Sequence, residues 1–125
     1  MTEYTGALAV AVAYHQAWTA KDLDGAMAHV AEGVVLDSPG VRLEGSERYR
    51  AFLGGFLPNV VGYDMLAALG DERTAVLVYR LRTALVEGSL PTVECFTVED
   101  GKIVQNVLVF DRTPYDAAAR AARAE

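Results

Sequence analysis

An α+β fold, with helices packed on one face of an antiparallel sheet, is predicted by three features of the chain. Apolar residues recur at helical spacing over most of the stretch up to Leu57. Beyond Pro58 the chain is rich in Val, Leu, Tyr, Thr and Phe at strand spacing, and Gly70-Asp71, Glu87-Gly88 and Asp100-Gly101 punctuate it as turns. At 125 residues, the length is that of one domain, expected to span 1–125.

From Gly6 to Ala20 the residues Ala7, Val10, Ala11, Tyr14, Ala17 and Trp18 recur at three- and four-residue steps, which places Tyr14 and Trp18 on one helix face. Asp22 has the side chain of an N-cap, and Leu23, Ala26, Met27 and Val30 carry helical spacing on to a stop at Glu32-Gly33. Residues 34–36 and 41–43 read as short strands on either side of the turn cluster Asp37-Ser38-Pro39-Gly40. Ser46 is expected to cap a third helix with Tyr49, Phe52, Leu53 and Phe56 on one face and an end at Leu57-Pro58, because proline disfavours helix in the residue before it. Segments 62–69, 74–86, 89–98 and 102–110 then form a four-stranded antiparallel meander. The alanine-rich tail, 115–125, either forms a short helix or frays.

Side-chain alternation gives the hairpins further meaning. A two-residue Glu87-Gly88 loop would pair Thr83 with Thr92, Leu81 with Glu94, Tyr79 with Phe96 and Leu77 with Val98, all on one bulky, mostly apolar face. Val78, Arg80, Arg82, Val93, Cys95 and Thr97 take the other, a candidate dimer face or a solvated convex surface. A three-residue Glu99-Asp100-Gly101 loop would set Glu94 opposite Asn106 and bring Leu108 and Phe110 to the apolar side. A two-residue Asp100-Gly101 loop would select Gln105, Val107 and Val109 instead. The apolar side must be covered by the helices, so Glu94 points inward. A buried carboxylate there has to find a partner, take up a proton or line a wet cavity.

Composition narrows the function. Hydrophobic residues make up 52% and charged residues 22% of the chain, which excludes a disordered polymer. The net charge of −6, from 17 acidic and 11 basic residues, offers no footprint for nucleic acid. The least charged run, Tyr4 to Ala20, is interrupted by polar residues and falls short of the ~20 apolar residues of a membrane span, so neither export nor membrane anchoring is expected. Cys95 is the single cysteine, which suits a cytoplasmic location and excludes an intrachain disulfide. His15 and His29 lie on separate helices without a cysteine partner, so no metal is expected and both read as structural or surface residues. No glycine-rich phosphate loop or nucleophile elbow is present, and no cofactor is expected.

Taken in order, Ala20-Lys21-Asp22-Leu23-Asp24-Gly25, Val34-Val35-Leu36-Asp37-Ser38-Pro39-Gly40, Leu43-Glu44-Gly45, the helix from Ser46 to Phe56 and Asp100-Gly101-Lys102-Ile103-Val104 resemble the cone-shaped superfamily named after nuclear transport factor two. That group includes ketosteroid isomerases and SnoaL-like polyketide cyclases. The resemblance implies a curved sheet folded round an apolar pocket, and a homodimer formed through the outer face of the sheet. It also implies a helix tyrosine at Tyr14 and an oxyanion-stabilising acid at Glu94. Where the isomerases carry their catalytic aspartate this chain has Ser38, with Asp37 one residue early. Asp37 and Asp64 are therefore the candidate bases, although Asp37 reads more readily as a turn residue and Asp64 as a solvent-facing strand residue.

The resulting expectation is a pocket for a small hydrophobic carbonyl compound. Tyr14 and protonated Glu94 would stabilise developing oxyanion charge, with Asp37 as base and proton transfer, in isomerisation or aldol-type cyclisation, as the reaction class. Trp18, Phe52, Phe56, Tyr79, Phe96, Asn106 and Leu108 are the expected walls. The alternative is a non-catalytic ligand-binding or dimeric interaction module that keeps the pocket without a competent base. Epoxide opening by water, another chemistry of the superfamily, needs an Asp/Arg/Asp arrangement that the inward positions do not supply.

Overall fold

The computed structural model describes residues 4–124. Helix α1 spans Gly6–Thr19 and α2 spans Leu23–Met27. Strands β1 (Val30–Ser38) and β2 (Val41–Glu44) follow, then α3 (Ser46–Phe56) and one 3-10 turn, Leu57–Asn59. The remaining strands are β3 (Val60–Gly70), β4 (Thr74–Thr83), β5 (Ser89–Glu99) and β6 (Lys102–Phe110), and helix α4 (Thr113–Ala124) ends the described chain. The six strands form one curled sheet in the order β2-β1-β6-β5-β4-β3. Helix α1 lies across β3, β4 and β5, and α3 packs on β1.

The α+β class is as expected, with local differences. The helical spacing read through Val30 ends at Met27, and Val30 already belongs to β1. There the Ile103 amide donates to the His29 carbonyl at 2.8 Å, and Val30 pairs with Ile103 in a parallel ladder, so sheet formation overrides local spacing. That parallel β1–β6 pair is the exception to an otherwise antiparallel sheet. Gly45, not Ser46, is the N-cap of α3. The tail is a helix as far as Ala124, and Glu125 lies outside the described residues.

The β4–β5 register differs from the expected one, and β5–β6 begins in the register of the two-residue loop alternative and shifts at a bulge, yet the same side chains point inward. In β4–β5 the pairs are Leu77–Glu94 and Tyr79–Thr92, a slip of four residues that preserves facing. The connection is longer than two residues because the chain leaves the ladder to make other bonds. The Ala84 amide donates to the Asn59 carbonyl at 2.8 Å, and the Leu85 amide donates to Thr83 Oγ1 at 3.2 Å. In β5–β6 the loop is the two-residue Asp100-Gly101 turn, with Glu99 opposite Lys102. Both turn residues have positive φ, 51° and 74°, as a type I′ turn requires. By itself this turn would send Asn106 outward. A bulge puts Ile103 opposite Val98 but Gln105 opposite Thr97, with Val104 as the extra residue, and Asn106 and Leu108 return to the inner face.

The core lies between the inner face and the helices. Leu77, Tyr79, Leu81, Phe96, Val98 and Ile103 from the sheet meet Ala7, Ala11, Tyr14 and Trp18 of α1 and Tyr49 and Leu53 of α3. Among the described residues, no helix is long and apolar enough to cross a membrane.

Candidate active site

Between α1, α3 and the concave sheet lies a cavity of about 280 Å³, open at the end where α4 begins. Its deep wall is built by alternation and helical spacing together. Tyr14 and Trp18 come from successive turns of α1, and Tyr49, Phe52, Leu53 and Phe56 from one face of α3. Tyr79 and Leu81 come from β4, Thr92 and Glu94 from β5, and Asn106, Leu108 and Phe110 from β6, each pair or triplet separated by two residues. Most of this lining is apolar, and its hydrogen-bonded polar side chains fall into two groups, an inner one of Tyr14, Tyr49, Tyr79, Glu94 and Asn106 and an outer one of Arg112 and Asp116, with Ser38 and Thr92 outside both.

The inner group is a continuous hydrogen-bond chain. Tyr79 donates its hydroxyl to Glu94 Oε1. Asn106 Nδ2 donates to Glu94 Oε2 at 2.8 Å and to the Tyr49 hydroxyl at 3.0 Å, and the Tyr49 and Tyr14 hydroxyls lie 2.6 Å apart. Glu94 is 4% exposed, and its carboxyl pKa is raised by burial, with the Tyr79 and Asn106 bonds opposing that rise. Burial likewise raises the Tyr14, Tyr49 and Tyr79 phenols well above the ordinary value, so all three keep their protons at neutral pH.

Counting protons shows what this chain has to offer. With Glu94 ionised, Tyr79 and both Asn106 N–H groups are committed, and the Tyr14–Tyr49 contact consumes one of two phenolic protons. One phenolic O–H is left over. Because Tyr49 already accepts from Asn106, it is the natural donor to Tyr14, which leaves the Tyr14 proton for a ligand. A protonated Glu94 that donates to Tyr79 would release the Tyr79 proton as a second donor.

The expected site residues divide clearly by position. Tyr14, Glu94, Trp18, Phe52, Phe56, Tyr79, Asn106 and Leu108 all line the cavity. Phe96 does not: it is fully buried behind the wall, edge-on to Tyr14 at 5.7 Å between ring centres, and acts as a support for that ring. Asp37 does not join the group either. It is exposed on β1 while its neighbour Ser38 is buried and faces the cavity, as strand alternation dictates. Asp64 is exposed and bonded to Arg82 at 2.6 Å, away from the cavity. No cluster of metal-ligating side chains is found among the described residues.

Tyr49 is the member that sequence reasoning left among the apolar residues of α3. A tyrosine on a helix face otherwise made of Phe and Leu carries a hydroxyl that needs a buried partner, and that was the available signal. The outer group, Arg112, Tyr115 and Asp116, was not expected at all. Nothing in the spacing of the tail connects it with a cavity built by distant strands.

The model of the SnoaL-like domain matches residues 11–106, more than half of the chain. The chain belongs to the SnoaL-like domain family. Among solved structures, this SnoaL-like chain is similar to a protein from Kribbella flavida DSM 17836, with 43% identity over 98% of this chain and 100% of that one and a TM-score of 0.91. It also resembles a steroid delta-isomerase from Pseudomonas aeruginosa, at 18% identity over 98% of this chain and 97% of that one and a TM-score of 0.75. An M. tuberculosis LEH-like epoxide hydrolase is matched at 19% identity over 94% of this chain and 92% of that one, with a TM-score of 0.72. The last two share the fold and differ in chemistry, so the fold alone does not choose a reaction. Among curated proteins no match is found.

Proposed function

We propose that this SnoaL-like protein binds a small hydrophobic carbonyl compound and promotes its enolisation, the proton transfer common to isomerisation and aldol-type cyclisation. The observation that carries the reading is the Tyr14–Tyr49 hydroxyl pair, 2.6 Å apart and tied through Asn106 to Glu94 in an apolar cavity, which leaves one phenolic proton uncommitted and, with Tyr49 as donor, places it on Tyr14. A carbonyl oxygen seated against Tyr14 gains a charge-assisted hydrogen bond as its α-proton leaves and negative charge develops on it. In apolar surroundings that bond is stronger in the transition state than in the bound ketone. With Glu94 protonated, the freed Tyr79 hydroxyl would supply a second donor. Two copies associating through the outer face of the sheet complete the proposed assembly.

A second reading, ligand binding without turnover, is favoured by the solvent-facing Asp37 and inward Ser38. A serine of ordinary acidity does not take an α-proton, so any enolisation uses a water molecule beside the bound carbonyl as the proton acceptor. Hydrolases stripped of their base retain roughly 10³–10⁴-fold catalysis from the oxyanion hole and binding. Slow enolisation is therefore the expectation under the first reading, and none under the second.

Substituted phenols and a fluorescent naphthol test the reading, because their phenolates mimic an enolate. The intact protein should bind them and lower their apparent pKa, and Tyr14→Phe and Glu94→Gln should each weaken binding about tenfold or more. Exchange of ketone α-protons for deuterium, lost in Tyr14→Phe, would favour catalysis over binding alone. Phenol binding indifferent to both substitutions would sink the oxyanion reading.

A further inference from the structure

The mouth of the cavity carries a cation that the inner hydrogen-bond chain does not use. Arg112, the one basic side chain among the residues lining the cavity, precedes α4 and sits beside Phe110, Tyr115 and the β1–β2 turn. Asp116, one helical turn later, accepts from Nε at 3.0 Å and from Nη2 at 3.3 Å. The carboxylate therefore fixes the plane of the guanidinium from one side. Nη1 projects over Gly40, so closely that a Cβ on that residue would lie 1.7 Å from it, and among the described residues it has no acceptor. Both Nη1 protons and the second Nη2 proton stay free, on a half-exposed side chain at the rim of a mostly apolar cavity.

We propose that Arg112 is a specificity-determining residue that receives a carboxylate at the outer end of the ligand. The inference rests on the proposed function, which seats the carbonyl or phenolic oxygen at Tyr14, and it narrows the substrate class to hydrophobic keto acids or their enol equivalents. A planar anion suits the free edge of a guanidinium already held flat. Asp116 offsets the charge of Arg112 without occupying that edge, so a ligand carboxylate does not have to displace it. The apolar belt between the two ends excludes charge from the middle of the ligand.

A series of ω-(4-hydroxyphenyl)alkanoic acids, from acetate to hexanoate, spans the reach from Tyr14 to the mouth, and each acid is compared with its methyl ester. Binding is followed by calorimetry at 0.15 M salt for the intact chain, Arg112→Gln and Tyr14→Phe. At the best-fitting length the acid should bind the intact chain about tenfold more tightly than its ester, as for an added charged hydrogen bond at a part-exposed site. In Arg112→Gln the acid-to-ester ratio should fall to near one, with Arg112→Lys intermediate because it keeps charge and loses the planar fork. Esters that bind in a Tyr14-dependent way with no acid favoured at any length would overturn the role of Arg112 and leave the proposed function standing. An acid preference that persists in Arg112→Gln would overturn it too. If neither acids nor esters bind, the reading at Tyr14 fails along with it.

Discussion

His15 shows how a single side chain can set the acid limit of the fold. It is 1% exposed, and its ring meets those of Trp18, Tyr63 and Tyr79 at 4.9, 4.6 and 4.7 Å between centres, all near edge-to-face. Neither ring nitrogen has a conventional hydrogen-bond partner among the described residues, so the imidazole edge rests on aromatic faces. Burial lowers its pKa from 6.5 to about 4. The unfolded chain therefore takes up the proton first. Stability is full above about pH 6.5 and drains as pH falls towards 4, by an amount of order 3 kcal/mol. Glu94 acts in the opposite sense. Its raised pKa means that the folded state holds the proton more tightly, so that contribution is complete below the ordinary carboxylate range and is lost as pH rises through the raised value. Chemical denaturation across pH 4–9 should show both slopes. His15→Phe should flatten the acid limb and Glu94→Gln the other, whatever either does to absolute stability. An acid limb unchanged in His15→Phe would mean that other groups cause it.

At the scale of elements, facing proved more legible than register. The four-residue slip in β4–β5 left Tyr79, Leu81, Thr92 and Glu94 on the inner side, because alternation depends only on parity. In β5–β6 the two-residue turn has the wrong parity, and the Val104 bulge corrects it. Only the full sheet exposes such a bulge, since Val104 differs in no local way from its neighbours. The inward path of Glu94 and Asn106 could thus be read from the chain, whereas the cross-connections could not. Tyr79 reaches Glu94 diagonally, and Tyr49 reaches Asn106 across 57 positions of sequence. Helix α4 was equally hidden. It buries none of its residues and touches the body chiefly through Tyr115 edge-on to Phe110, yet it supplies a rim of the cavity. A chain ending at Asp111 should therefore melt within about 5 °C of the intact protein, the shift expected for roughly 1 kcal/mol in a domain of this size. Its affinity for phenols should nevertheless fall severalfold as the mouth opens. Collapse of the thermal transition would instead make α4 integral to the fold.

At the scale of the whole molecule, the two faces of the one sheet are unlike. The inner face encloses the cavity, and the outer face carries apolar rows that run across four strands. Ala67, Val78, Val93 and Val109 stand in register from β3 to β6, and Leu69, Val76, Cys95 and Val107 form the next row. The four residues of β4 and β5 are only half-buried, while Leu69 and Val109 are exposed by 66% and 54%. Polar residues border these rows, among them Gln105, Thr97 and the Asp64–Arg82 ion pair. An apolar centre with a polar rim is the anatomy of an interface, and a two-fold pairing lets one such patch cover its own copy. The proposed dimer follows from that argument, and Cys95 would then sit inside it as a free thiol packed for its bulk. Light scattering at tens of micromolar should give twice the 13.5 kDa chain mass. Val93→Glu, placing a charge inside the first of these rows and next to the second, should return the monomer with the cavity still able to bind phenols, because its side chain points away from the cavity. A monomeric intact chain at that concentration would remove the interface and leave the outer face as solvated surface.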